Sequence, residues 1–384
     1  MAHDSAPNMA GIYIHIPFCR QICRYCDFYR SGSLSDKQAV LEAISRELTA
    51  RREEVQGTVE TLYFGGGTPS LCSVEEIGGL VGQVSALWGV SKFREVTLEA
   101  NPDDLTPEYL KGLRATGVNR LSIGIQSFCD AHLERMNRRH TAREAVAAVR
   151  AAQEVGFENL TIDLIYGLPW MTPQEWEYNL EQALALGVQH ISAYHLTIEP
   201  GTVFGKQGLQ PVEESVSELH FRMLREALCG AGYEHYEVSN FARPGFRALH
   251  NSNYWQGKPY LGVGPAAHSY DGLRRRRWNV SSNRAYLAGE PGGEEWLSDT
   301  DRLNEYLMTR LRTVEGISLS TIASRFGAAQ AARIGERCAA QAEGGLLRPT
   351  ADGYAVPPER FLISDYVIAE LFDSADTPQK DTNA

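Results

Sequence analysis

The first half of the chain alternates between two hydrophobic periods. Short apolar runs rich in β-branched residues occur at "GIYIHI" (11–16), "TLYF" (61–64), "EVTLE" (95–99), "RLSIGI" (120–125), "LTIDLIY" (160–166) and "HISAYHL" (190–196). Between them, apolar positions recur every three to four residues, which predicts helices at about 36–56, 74–88, 106–116, 141–155 and 173–186. "SVEE" (73–76) and "TPEY" (106–109) put Ser or Thr before an acidic first turn, and "TPQEW" (172–176) adds Pro at the first helical position. "ATGVNR" and "ALGVQH" close a helix with Gly and lead into the next strand. Six strands alternating with helices predict parallel βα units and an α/β fold over 11–212, as an open doubly wound sheet or a partial barrel.

Polar residues mark one rim of that sheet. Gly65–Pro69, Glu99, Gln126, Asp163, Tyr194 and His195 all fall at or near the carboxyl ends of their strands, where parallel α/β architectures build their sites. An acid among strand hydrophobics is costly unless paired, so several gathered at one rim predict a shared ligand.

After about residue 210 the pattern changes. Residues 213–231 read as a helix. "HYEVSNFARPGFRALHNSNYWQGKPYLGVGPAAHSY" (235–270) reads as a long functional loop followed by a strand, within an extension spanning 213–298. From about 300 the chain reads as helical ("DRLNEYLMTRLR", then 317–343), with a short β pair near 346–356 and a helix over 358–372. Together 299–372 resemble a small winged-helix-like domain. Residues 1–10 are expected to be flexible and the tail 373–384 disordered.

Composition narrows the function classes. At 384 residues and 43% hydrophobic content the chain suits one large soluble domain and a smaller one. A formal net charge of −11 argues against broad nucleic-acid binding. The local exception, "RRRR" at Arg274–Arg277, reads as a solvated loop. No apolar run is long enough to insert in a membrane, and the polar start "MAHDSAPNMA" lacks the apolar core of a signal peptide. The cysteine count of 7 is odd, which speaks against a disulfide framework and for a cytoplasmic protein with reduced thiols.

Three of those cysteines form "CRQICRYC", with Cys19, Cys23 and Cys26 in C-x3-C-x2-C spacing just after the first strand. Thiolates favour zinc or iron–sulfur clusters. Structural zinc wants four closed ligands, and the only nearby candidates for a fourth are His15 and Asp27. A [4Fe-4S] cluster held by three cysteines instead leaves one iron open to an exchangeable ligand.

The triplet, with the aromatic Tyr25 before its last cysteine, resembles the signature of the radical S-adenosylmethionine (SAM) superfamily. "YIHIPFC", "YFGGGTPS", "EANPDD", "NRLSIGIQSF", "IDLIYGLP" and "HNSNYW" together resemble the coproporphyrinogen III dehydrogenase-like family and its heme-chaperone branch, over roughly 11–370. The resemblance implies a partial (βα)6 radical-SAM barrel with a small C-terminal helical domain. It implies a [4Fe-4S] cluster whose open iron binds the amino and carboxylate groups of SAM, and an electron donor that allows cleavage of the sulfonium. It assigns Gly66, Gly67 and Thr68 to the methionine end of SAM, where bare backbone N–H and C=O groups can meet a ligand. Glu99 is assigned to the ribose hydroxyls, and Gln126 and Arg138 to further SAM contacts, with Tyr13 and Tyr25 flanking the cluster. Asp163, Tyr194 and the segment near Ala267 and His268 resemble contacts to a second SAM in the dehydrogenase branch.

Two features separate carrier from enzyme within that family. The dehydrogenases carry a further cysteine two residues after the triplet, where this chain has Phe28, and a long N-terminal extension, where only about ten residues precede the first strand. "HNSNYW" (250–255) is the mark of the heme branch. A neutral His250 is an axial-ligand candidate, with His195, His235 and His268 as rivals, and Tyr254 and Trp255 offer flat apolar surfaces to a macrocycle. The expected function is heme binding and transfer to an acceptor apoprotein such as a membrane cytochrome, with oxygen-independent coproporphyrinogen III dehydrogenation as the alternative. No side chain is assigned a catalytic role.

Overall fold

A computed structural model of the chain describes residues 9–55 and 57–372; of the start expected to be flexible, 1–10, residues 1–8 lie outside them, while Met9 and Ala10 open a strand, and the tail expected to be disordered, 373–384, lies outside them. The six predicted strands are all present: β1 (Met9–Ile16), β2 (Thr58–Gly66), β3 (Glu95–Ala100), β4 (Arg120–Gln126), β5 (Leu160–Tyr166) and β6 (His190–His195). They pair in chain order and in parallel, with helices Lys37–Ala50, Val74–Trp88, Pro107–Ala115, Ala142–Val155 and Pro173–Leu186 in the crossovers. Asn240–Ala242 adds antiparallel beside β6. On the other side Tyr260–Val263 adds parallel beside β1, followed by His268–Tyr270 and Arg275–Trp278 in antiparallel pairing. The six parallel strands thus form an open α/β barrel wall extended on both sides.

The crossover helices start where their caps require. Ser73, Thr141 and Thr172 each accept from the N–H of Glu76, Glu144 and Glu175, whose carboxylates answer to the cap residue's own N–H. The helix Pro173–Leu186 ends on Gly187 at φ +65°, a left-handed turn that favours glycine.

Period-two alternation splits each strand into two chemistries. One face, Ile12, Ile14, Leu62, Phe64, Val96, Leu98, Leu121, Ile123, Ile162 and Leu164, is buried and wholly apolar. The alternate positions hold Tyr13, His15, Thr61, Tyr63, Glu95, Thr97, Glu99, Arg120, Ser122, Thr161 and Asp163. Those side chains bond to one another: Arg120 reaches Thr97 and Thr161, Tyr63 reaches Glu99, and Ser122 reaches Asp163. The second face is therefore a polar interior, with Glu95 and Arg120 at the strand starts, Glu99 toward the carboxyl end of β3 and Asp163 midway along β5.

The described chain divides into two compact units. The first comprises 9–235, 239–253 and 258–294 and carries the barrel. The second comprises 236–238, 254–257 and 295–372. Within the latter, helices Asp299–Arg310, Leu319–Phe326 and Ala328–Glu343 accompany a small antiparallel sheet of Ile317–Ser318, Gly353–Ala355 and Arg348–Pro349. This is the winged-helix-like pattern.

Three expectations need correction. The continuous helix over 317–343 is broken: Ile317–Ser318 is strand, and Gly327, at φ +96°, separates two helices. The long loop over 235–270 contains Asn240–Ala242 and a helix, Leu249–Trp255, that carries "HNSNYW". The arginine run is not a solvated loop. Arg275–Trp278 is a strand, Arg275 pairs with Glu294 at 2.7 Å, and Arg277 pairs with Glu54 at 2.9 Å.

Candidate functional site

The cysteine loop leaves β1 at Ile16 and is pinned back onto it. Cys19 N donates to Ser31 O at 3.0 Å and Ser31 N donates to Pro17 O at 2.6 Å. His15, considered above as a fourth ligand, has both ring nitrogens engaged inside the fold: Nδ1 with Tyr13 Oη at 3.2 Å and Nε2 with Tyr29 O at 3.1 Å. Burial pushes its imidazole down to about 4, so it is neutral. Cys19, Cys23 and Cys26 border one cavity of about 420 Å³ at the carboxyl ends of the strands. Among the described residues no three His, Cys, Asp or Glu side chains converge on a point that holds a single metal ion. All three thiols belong to the lining of that one cavity.

The rest of that wall is the predicted rim. Tyr25, Gly66, Gly67, Thr68, Glu99, Gln126, Arg138, Asp163, Tyr194 and His195 all line the same space. Tyr13 does not: it stacks on Tyr63 at 5.9 Å behind the wall. Thr68 is buried, and its hydroxyl donates to Cys19 Sγ at 3.4 Å, so it supports the cysteine loop directly. The glycine run differs from its expected use. A Cβ at Gly66 would meet the His15 ring at 2.6 Å, and one at Gly67 would meet the Phe18 backbone at 2.7 Å. Their N–H groups are engaged as well, Gly66 with Glu99 Oε2 at 3.2 Å and Gly67 with Ile16 O at 2.9 Å. Close packing of the chain on itself thus demands glycine here, and the amides hold the site together.

Glu99 is fixed from two sides, by Gly66 N and by the Tyr63 hydroxyl, which donates to Oε1 at 2.7 Å. Burial pushes its carboxyl up to about 7 against those hydrogen bonds, with the charge of Asp163 adding to the rise. Asp163 is pushed up to about 6, also by burial, while hydrogen bonds from Ser192 and Ser122 and the charge of Arg120 hold it down. Arg138 reaches into the interior: Nη1 donates to Cys23 Sγ at 3.2 Å, and Nη2 donates to Asn101 Oδ1 and Gly124 O at 2.6 Å each. Its Nε is buried without a hydrogen-bond partner. Gln126 has φ +70° at a register shift in β4, strain that a non-glycine residue carries where the fold needs its side chain in one place. Phe28, 70% exposed, and Tyr194, 43% exposed, stand at the mouth.

His250, like Tyr13, is a predicted site residue that the structure does not bring to the cavity lining. It is 1% exposed, its Nδ1 bonds with Thr61 Oγ1 at 2.9 Å, and its ring stacks on Tyr63 at 5.1 Å. Burial pushes its imidazole down to about 3. An axial ligand must present a nitrogen to a macrocycle, and this ring lies inside the barrel, so the expectation of direct heme ligation is corrected. Among the rivals, His235 is buried against Phe241 at 4.0 Å and accepts from Arg225. His195 lines the cavity with Nε2 bonded to Ser217 at 2.9 Å, and His268 stacks on Trp278. Asn101, Ser122 and the Glu95–Arg120 pair were missed in the sequence, although all four occupy the polar alternate positions of β3 and β4 or the turn after β3.

Residues 13–183 match the family described as the radical SAM superfamily, and residues 297–362 match the HemN C-terminal domain. The chain is 35% identical over 334 residues to the heme chaperone HemW of Bacillus subtilis, covering 83% of this chain and 87% of that protein. The HemW of Mycobacterium tuberculosis is 34% identical over 377 residues, covering 94% of each. The chain belongs to the HemW family of radical SAM proteins. Its fold is also that of the coproporphyrinogen III oxidase HemN of Escherichia coli, a radical SAM enzyme. That structure superposes with a TM-score of 0.81 at 23% identity over 95% of this chain and 90% of the other. No helix among the described residues is long and apolar enough to cross a membrane.

Proposed function

We propose that this chain is a heme chaperone that binds heme and passes it to an acceptor apoprotein, and that it carries a SAM-ligated [4Fe-4S] cluster in the cavity. The observation that carries the reading is kinship at 34–35% identity, over most of both chains, with proteins named heme chaperone HemW. The cavity wall fits the cluster and its ligand. Three thiols lining one cavity suit a cluster, which takes each cysteine on a separate iron and leaves a fourth iron open. The unpartnered Arg138 Nε and the strained Gln126 face a space large enough for a nucleoside.

Cys19, Cys23 and Cys26 would hold the cluster, Thr68 and Arg138 would steady two of its sulfurs, and Glu99 would accept the ribose hydroxyls. Bound there, the cluster would supply one-electron cleavage of SAM, given a donor. Phe28 takes the place where the enzymes of this family have a cysteine, and with Tyr194 it gives the mouth an apolar surface that a macrocycle can cover. The acceptor would be an apoprotein such as a membrane cytochrome, met from a reducing compartment such as the cytoplasm, which suits seven cysteines that form no disulfide.

The test is anaerobic reconstitution followed by heme titration. A saturable shift of the Soret band supports the chaperone; its absence, together with formation of protoporphyrinogen from coproporphyrinogen III in the presence of SAM and a reductant, overturns it in favour of the dehydrogenase.

A further inference from the structure

His250 is not part of the cavity lining, yet a continuous column of rings joins the two. Its imidazole stacks on Tyr63 with centroids 5.1 Å apart and planes 30° apart. Tyr63 stacks in turn on Tyr13 at 5.9 Å and 26°. Tyr13 meets His15 edge-on at 6.0 Å and donates or accepts at its Nδ1, 3.2 Å away. His15 holds the carbonyl of Tyr29 on the returning limb of the cysteine loop. Midway, the Tyr63 hydroxyl branches off to Glu99 Oε1 at 2.7 Å. At the far end, the Glu95 carboxylate accepts from Leu249 N at 2.8 Å and His250 N at 2.9 Å, which fixes where the helix Leu249–Trp255 begins. The column has no slack: a Cβ on Gly11 would touch His250 Cε1 at 2.9 Å, so β1 closes directly over the ring.

We infer that His250 is a positioning residue: through Tyr63, Tyr13 and His15 it sets the Glu99 carboxylate and the returning limb of the cysteine loop from the start of the "HNSNYW" helix. The inference rests on the reading of the cavity as the SAM site. It replaces ligation of heme iron by His250 with a mechanical role, in which a shift at the helix start reaches Glu99 and Tyr29 together. Packed rings and directed hydrogen bonds transmit such a shift because neither end can move without opening a gap at the other.

The full chain, reconstituted anaerobically, is titrated with SAM as wild type, Tyr63→Phe, His250→Leu, Glu99→Gln and the Tyr63→Phe/Glu99→Gln pair. Amide hydrogen exchange at Cys19 and Ser31 is read alongside. Tyr63→Phe keeps every ring and removes one hydroxyl bonded to a carboxylate, so SAM affinity falls about five- to tenfold. His250→Leu falls in the same direction, and exchange at Cys19 and Ser31 quickens. Tyr63→Phe costs less once Glu99 is Gln than it does in wild type, because both act at one point. If Glu99→Gln weakens SAM while folded Tyr63→Phe and His250→Leu bind it as wild type does, the column carries no coupling and the inference falls. If Glu99→Gln itself leaves SAM binding unchanged, the SAM reading of the cavity fails; exchange at Cys19 and Ser31 in His250→Leu then decides the column, and wild-type protection there overturns it. Should His250→Leu not fold, Tyr63→Phe decides alone.

Discussion

Removing the Glu95 carboxylate should loosen the start of the "HNSNYW" helix without touching the cavity wall directly. Glu95 is 2% exposed and accepts from Leu249 N and His250 N at 2.8 and 2.9 Å, with Arg120 Nε at 3.9 Å. Each bond to a buried charge is worth about 1.5–3 kcal/mol. Glu95→Gln keeps the shape and one acceptor but turns an NH2 toward one of the two amides, so it should cost about 2–3 kcal/mol. Glu95→Ala loses both bonds and leaves Arg120 buried without its acid, which raises the cost to about 4–5 kcal/mol. Read locally, about 2.8 kcal/mol is a hundredfold faster opening. The assay is native-state hydrogen exchange at Leu249 and His250 in Glu95→Gln, with the amides of Ile123 and Ile162 as core references. Unchanged protection at Leu249 and His250 would refute the reasoning, since the helix start would then be held by something other than Glu95.

Four further outcomes are expected. Gly67→Ala forces a Cβ to within 2.7 Å of the Phe18 backbone and 2.8 Å of Ile16 O; it should cost about 1–3 kcal/mol and lower iron and sulfide incorporation, and wild-type loading would count against the packing argument. SAM affinity should fall as pH drops through about 7, the value to which burial pushes Glu99, because only the carboxylate accepts both ribose hydroxyls. The raised value also means that the buried charge costs folding stability above about 7 and nothing below the ordinary Glu range; stability should fall with rising pH across that window in wild type and fall less steeply in Glu99→Gln, where the raised Asp163 still contributes. Phe28→Ser, at a side chain 70% exposed, should leave stability within about 0.5 kcal/mol and weaken heme binding measured by Soret titration; undiminished affinity would remove Phe28 from the heme surface.

The barrel was legible because its strands carry both signals at once. Ile12, Ile14 and Ile16 mark the helix-facing side, and Glu99 and Gln126 sit where parallel strands end, with Asp163 midway along β5. The helix expected over 74–88 appears as Val74–Trp88 because Ser73 and Glu76 cap it locally. What was not legible depends on partners distant in sequence. "HNSNYW" reads as a loop because its first turn has no local cap: the cap is Glu95, 155 positions before His250. Arg275 and Arg277 read as solvated because Glu294 and Glu54, which pair with them, lie outside any local window. Gly66 and Gly67 of "GGGTP" line the cavity, but the surfaces that require glycine there, the His15 ring and the Phe18 backbone, come from the neighbouring strand and its loop. His250 carries the same lesson, since its chemistry suits an axial ligand and only the enclosing β1 and Tyr63 show that it is interior.

The most direct test of the central claim is heme titration of the anaerobically reconstituted chain, followed by mixing with an apocytochrome and separation of the two proteins. The account predicts a saturable Soret shift on the chain and its transfer to the apocytochrome. A chain that shows no Soret shift and instead converts coproporphyrinogen III to protoporphyrinogen would contradict it.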